Sequence, residues 1–261
     1  MGGFFDNEVA GWERALAYES NQQKLENYLK EIPVREHEWD RRHVPYEIAN
    51  AEHLAMSDSV GMINLSHFPI MDIEGKDAER MLEYLSLAKV GGDTPEGRMI
   101  YTNFLDEDGG VHADLTISRL GKDRYRVVTG GADGNRDWLT LRNYRDDKGL
   151  DADIKIRTHD IATLGLWGPQ AKNALGHFID PNEITIENFP FVAAKNLTLN
   201  LSGRKKIDVW ASRISYVGES GWEIYLNNDS EEGLALYDSC LLYTSDAADE
   251  GLGVDLGGRR I

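Results

Sequence analysis

Alternation gives the clearest pattern in this chain. In GGVHADLTISRL (residues 109–120), Val111, Ala113, Leu115 and Ile117 fall on one side, and His112, Asp114, Thr116 and Ser118 on the other. A period of two is the mark of a half-buried strand. Residues 98–105 and 124–129 read as strands on either side, joined to it by the turns DEDGG and GKD, whose residues tolerate left-handed backbone. Helical spacing takes over in 76–88, where Ala78, Met81, Leu82, Leu85 and Ala88 form one apolar stripe, closed by Gly91-Gly92. Ile48, Leu54, Ala55 and Met56 mark a helix in 45–59, and Trp138, Leu139 and Leu141 another after the third strand. Residues 62–73 read as a strand interrupted by Pro69. Residues 161–167 form an apolar strand stopped by Gly168-Pro169, with a helix around 171–178 beyond it. Strands at 196–201, 207–217 and 221–226 and a helix near 231–237 complete the pattern, after a polar, partly helical lead-in over 1–44. Strand pairs alternating with single helices in two similar halves predict an α+β fold of the split βαβ, ferredoxin-like kind.

Composition narrows the function. A formal charge of −17 opposes unassisted binding to nucleic acid or anionic membrane, both of which need basic patches. No apolar run is long enough for a membrane span, and the N-terminus lacks the basic start and apolar core of a signal peptide. One cysteine, Cys240, excludes an internal disulfide and a multi-cysteine metal site, and together these features favour the cytoplasm. From Cys240 onward the sequence changes character. CLLYTSDAADE resembles a translated frame of a sequencing-library adapter, and VDLGGRRI a frame of its flanking adapter. The expected division is therefore a lead-in at 1–44, a domain at 45–239 and an adapter-derived loop or tail at 240–261.

Strands disfavour Asp, so Asp114 is either a solvated outer-face residue or a carboxylate set into a cavity. Tyr101 lies on the strand expected to pair with it, and Tyr125 on the third strand of the meander. An acid between two tyrosines could receive a flat polar ligand. A second hairpin, SRISYVGESGWEIY (212–225), crowds together Arg213, Tyr216, Glu219 and Glu223. Glu223, in an otherwise apolar strand, is either paired with Arg213 or holds a ligand. His53, His67 and His112 are too scattered for metal ligation and read as structural. GGADGN lacks the third glycine and downstream acid of a dinucleotide fingerprint, so no flavin or nicotinamide site is expected in this chain.

Five segments in register then point to a family. GGVHADLTISRL with Tyr101 before it, DRYRVVTGG, the GLWGP turn and RISYVGESGWEIY resemble the tetrahydrofolate-binding aminomethyltransferases. That family includes the glycine-cleavage T protein and the C-terminal halves of dimethylglycine and sarcosine dehydrogenases. GWER, TISRL and VTGGA lie nearer the dehydrogenase branch. The resemblance implies a folate-binding aminomethyltransferase-type fold whose C-terminal barrel lobe is missing here. It implies that Asp114 is the essential carboxylate at the reacting end of folate, and that Tyr101 and Tyr216 line the pterin pocket. Glu223 would hydrogen-bond the guanidine-like edge of the pterin, and Tyr125 would lie near the active centre, with Arg213 beside these folate-binding residues. An asparagine usual after the third strand stands here as Thr129 or Gly130.

The reaction so implied moves a one-carbon unit from an N-methyl amine or aminomethyl donor to tetrahydrofolate, giving the methylene form. In the dehydrogenase branch a separate flavin-dependent oxidoreductase module or subunit oxidises the donor. A stand-alone demethylase of an O-, S- or N-methyl donor and an inactive folate-binding fragment are the alternatives.

Overall fold

Proline, glycine and strand register divide this chain where its apolar pattern runs on. The computed structural model describes residues 3–7, 13–32, 46–201, 205–228, 230–251 and 253–255. Strands β1 (Gly3–Asn7) and β2 (Glu13–Tyr18) form an antiparallel hairpin, followed by 3-10 helix at Glu19–Lys24 and a short α1 (Leu25–Tyr28). Then come α2 (Tyr46–Asp58), β3 (Val60–Asn64), β4 (Ile70–Glu74), α3 (Ala78–Leu85), β5 (Met99–Leu105), β6 (Val111–Gly121) and β7 (Arg124–Thr129). Helix α4 (Gly134–Lys148), β8 (Asp153–Ile156), β9 (Ile161–Trp167), α5 (Ala171–Gly176) and β10 (Ala193–Asn200) follow. The chain continues through β11 (Lys206–Arg213), β12 (Gly221–Asn227), α6 (Ser230–Gly251) and β13 (Gly253–Asp255). It divides into two units: Met1–Leu65 with Thr163–Phe189 and Asn196–Ile261, and Ser66–Ala162 with Pro190–Lys195.

The second unit holds a five-stranded sheet in the order β5-β6-β7-β4-β8, antiparallel throughout. With edge strand β5 set aside, the strands and α3 and α4 make the expected split βαβ arrangement. The predicted stripe of α3 is the face it buries, with Ala78, Met81, Leu82 and Leu85 packed on Ile73, Phe104, Leu115, Ile117 and Val127. Burying each large aliphatic side chain contributes about 1.5–3 kcal/mol, which fixes this face of the sheet as the inner one. Gly149, at φ +60°, ends α4 in the left-handed conformation that glycine adopts at no steric cost.

The first unit holds a six-stranded sheet in the order β10-β11-β12-β9-β3-β13. Every residue of β9 is buried, as its text IATLGLW, apolar but for Thr163, requires of a strand covered on both faces. Gly221 opens β12 where a Cβ would lie 2.0 Å from the Leu166 carbonyl oxygen, so only glycine allows that approach. Glu52 of α2 accepts from the Asn21 amide at 2.8 Å and the Tyr18 backbone N–H at 3.3 Å, which anchors the segment after β2.

Several boundaries differ from expectation. The lead-in begins with a β-hairpin, and its residues 33–44 lie outside the described residues, as do Trp12 of GWER and 256–261 of the tail. The predicted strand 62–73 is two strands in different sheets, because the segment around Pro69 cannot continue a ladder. Helix α6 runs on to Gly251 with Leu236, Tyr237 and Cys240 buried, and β13 pairs parallel with β3. Residues 240–251 are therefore helical rather than loop: the segment has no proline, and Leu241, Leu242, Ala247, Ala248 and Glu250 are good helix formers.

Candidate functional site

The outer face of the five-stranded sheet carries the first candidate cluster. Asn103 of β5 pairs with Asp114 of β6, and Tyr101 with Thr116. Tyr101 and Asp114 are thus diagonal neighbours on one face, within reach of a long side chain. The Tyr101 hydroxyl donates to Asp114 Oδ2 at 2.9 Å, and Tyr101 is 64% exposed. That bond, with smaller contributions from burial and the Asp114 charge, raises the Tyr101 pKa. Among the described residues no cation pairs with Asp114. The outer face is polar further along as well: Arg126 grips Asp72 through two bonds of 2.7 and 2.9 Å, and Arg157 reaches the same carboxylate at 3.3 Å.

Tyr125 is not brought to this cluster. Ser118 pairs with Arg126, which puts Arg126 on the Asp114 face and Tyr125 on the other. Tyr125 lies in the core, 1% exposed, and its hydroxyl donates to Glu79 Oε2 of α3 at 2.9 Å. Burial, then this hydrogen bond, pushes its pKa far up. Glu79 also accepts from the Gly92 N–H at 3.0 Å, and Arg119 donates to the carbonyls of Gly92 and Thr94 at 3.1 and 2.6 Å. The Gly92 bond first, then Tyr125, lowers the Glu79 pKa. This group fastens the loop after α3 to the sheet. His112 also leaves the predicted alternation. A bulge between the pairs Phe104–Ala113 and Leu105–Val111 turns it towards α4, where its Nε2 lies 2.9 Å from Thr140 Oγ1.

The β11–β12 hairpin of the other unit carries the second cluster. Ser212 pairs with Glu223, and Trp210 with Tyr225, so these four side chains share a face. The Ser212 and Tyr225 hydroxyls both donate to Glu223 Oε2, Ser212 at 3.3 Å. Burial raises the Glu223 pKa, and the two hydroxyls partly offset it. No cation among the described residues pairs with this carboxylate. Arg213 points to the opposite face: its guanidinium sits 5.1 Å over the Trp222 ring, and Nη1 donates to the Phe189 carbonyl at 2.8 Å. Of the two alternatives for Glu223, the ion pair with Arg213 is therefore not made. Burial lowers the Arg213 pKa. Tyr216 is 72% exposed at the hairpin's far end. The GLWGP turn supports this hairpin, with Trp167 Nε1 donating to the Ile214 carbonyl at 2.8 Å and Gly168 N–H to that of Ser220 at 2.9 Å.

Ser212 and Tyr225 were not singled out from sequence. Tyr225 stands two residues after Glu223 on the same strand, a readable signal; Ser212 required the register. Among the described residues no three His, Cys, Asp or Glu side chains gather to hold a metal, and no helix is long and apolar enough to cross a membrane.

With both hairpins placed, comparison with known proteins assigns the family: the GCVT N-terminal domain family matches residues 2–252. The chain belongs to this family. Among curated proteins it is similar to mitochondrial dimethylglycine dehydrogenase of Homo sapiens, 30% identical over 202 residues, which are 75% of this chain and 21% of that protein. Among solved structures it is similar to the glycine cleavage system aminomethyltransferase T of Bartonella henselae, with TM-score 0.69 and 21% identity. The match covers 97% of this chain and 56% of that one, and it shows a shared fold. The chain spans about a fifth of the dehydrogenase and little more than half of the aminomethyltransferase.

Proposed function

We propose that this GCVT-family chain binds tetrahydrofolate and directs a one-carbon unit onto it from an aminomethyl or N-methyl amine donor, giving methylene-tetrahydrofolate. The observation that carries the reading is the Tyr101–Asp114 pair, a carboxylate on an exposed sheet face that one hydroxyl orients and no described cation neutralises. The residues also fit a reduced pterin. Glu223 is an enclosed carboxylate with one oxygen held by two hydroxyls and the other open to a ligand's N–H groups.

Tetrahydrofolate, when bound, supplies a nitrogen nucleophile that takes up carbon at the formaldehyde oxidation level. The protein's part follows from its own groups. Asp114 stabilises cationic charge developing on the donor carbon and accepts or relays a proton there. Tyr101 holds Oδ2, leaving Oδ1 for that task. Glu223 takes the donor edge of the pterin, and Tyr216 offers a ring to stack on it. Tyr125 and Arg213 act through structure: one buttresses α3, the other packs on Trp222.

An aminomethyl donor already carries carbon at the required oxidation level. An N-methyl amine must first lose two electrons, which calls for a flavin-dependent oxidoreductase module or subunit as partner, in keeping with the name of the human relative. The single cysteine, which allows no internal disulfide, fits a reducing setting such as the cytoplasm.

Product analysis with a panel of aminomethyl, N-methyl, O-methyl and S-methyl donors tests the reading. Methylene-tetrahydrofolate from the aminomethyl donor is expected. Formation of 5-methyl-tetrahydrofolate instead would replace the reading with a demethylase, and no folate product from any donor would overturn it.

A further inference from the structure

The Glu223 carboxylate is held asymmetrically. Both of its hydroxyl partners, from Ser212 on the paired strand and Tyr225 two residues along its own, converge on Oε2. Ser212 is 0% and Tyr225 3% exposed, so neither hydroxyl can exchange its acceptor for bulk water. The Tyr225 ring is fixed in turn by an edge-on contact with Trp210, centroids 4.8 Å apart. We infer that Tyr225 and Ser212 are positioning residues that clamp Oε2, so that Glu223 meets its ligand as an ionised, single-oxygen acceptor through Oε1. This rests on the reading of Glu223 as a ligand-binding carboxylate and adds to it the geometry of contact and the groups that keep it charged.

The surroundings give the clamp its electrical role. Strand β9, beside β12, has no ionisable side chain. On β11, Lys206 and Asp208 share the face of Ser212 at six and four residues from it, Asp208 bonded to Thr198 at 2.6 Å, and Arg213 faces the other way. Lys172 of α5 and Glu231, Glu232 and Asp238 of α6, the helices that pack on β12, do not contribute to the Glu223 shift, whose causes are burial and the two hydroxyls. An enclosed carboxylate without a cation depends on hydroxyl donors to remain ionised. Removing one donor makes it protonate at higher pH, and a protonated Oε1 carries an O–H donor and is a much weaker acceptor for ligand N–H groups.

The test is equilibrium binding of tetrahydrofolate, kept reduced, to the full 261-residue chain from mildly acid to mildly alkaline pH, with melting curves confirming that each variant folds. Wild type should lose affinity on the acid side, and Glu223→Gln should lack that acid limb, binding more weakly than wild type above it and approaching wild type below it. Tyr225→Phe should move the midpoint of the limb to higher pH, while affinity above it returns to within a few-fold of wild type. Ser212→Ala should do the same to a lesser extent, its bond being the longer, and it carries the test alone if Tyr225→Phe does not fold. A uniform loss of affinity with an unmoved midpoint in these variants would reduce both residues to structural roles and overturn the inference. If Glu223→Gln instead matches wild type in affinity and pH profile, the ligand reading of Glu223 itself falls.

Discussion

The β5–β6 and β11–β12 hairpins each present a carboxylate bonded to a tyrosine hydroxyl and to no described cation, yet their surroundings differ. Asp114 stands on an open face with one hydroxyl on it, and the perturbation falls on the partner, Tyr101, whose pKa rises. Glu223 is enclosed, takes two hydroxyls on one oxygen, and bears the cost of burial itself. A water-facing carboxylate can reorganise with a reacting centre, whereas an enclosed and clamped one offers a fixed acceptor of one geometry. The contrast suggests that Asp114 serves the chemical step and Glu223 serves recognition.

That division can be broken most forcefully at Asp114. Asp114→Asn should lower the rate of methylene-tetrahydrofolate formation by roughly 10²–10⁴, the usual range for a general acid–base group. Turnover within a few-fold of wild type would return Asp114 to the status of a surface residue. The tyrosines sharpen the same contrast across the sheet. Tyr101→Phe should cost about tenfold in rate, one charge-assisted hydrogen bond, with an unchanged melting temperature. Tyr125→Phe should do the opposite, losing about 1 kcal/mol of stability with no change in rate; a rate loss matching that of Asp114→Asn would return Tyr125 to the chemistry. The smallest effect concerns Glu79. Its folded-state pKa is lowered, so its hydrogen bonds stabilise the protein above the ordinary carboxylate range, and that contribution disappears as pH falls through the folded value. Glu79→Gln should therefore melt below wild type at neutral pH, and the gap should close in acid. A gap that persists in acid would place the effect elsewhere.

The strands and helices that bury one face were legible because periodicity reports burial directly. The α3 stripe and the β6 alternation from Ala113 to Ile117 needed no tertiary knowledge. Legibility ended where pairing decides. The face of Tyr125 depends on the β6–β7 register, and one strand's text does not reveal its partner's phase. The bulge that turns His112 inward leaves no mark in the alternation itself. Strand β8 has only four residues, mostly exposed, with no run long enough to announce it. The helical course of α6 past Ser239 escaped because a change in the character of the sequence was read as a change in structure. At the candidate site, Asp114 and Glu223 stood out as residues ill-suited to their strands and Tyr101 as the aromatic on the strand paired with Asp114, while Ser212, small and ordinary in a strand, became visible only opposite Glu223.

Equilibrium binding of tetrahydrofolate to Asp114→Asn and Glu223→Gln, measured side by side, tests most directly whether the two carboxylates have separate tasks. The prediction is that Asp114→Asn binds within about twofold of wild type, while Glu223→Gln, having lost a charged hydrogen bond, binds roughly 10–100-fold more weakly. Equal losses, or a larger loss at Asp114, would contradict it.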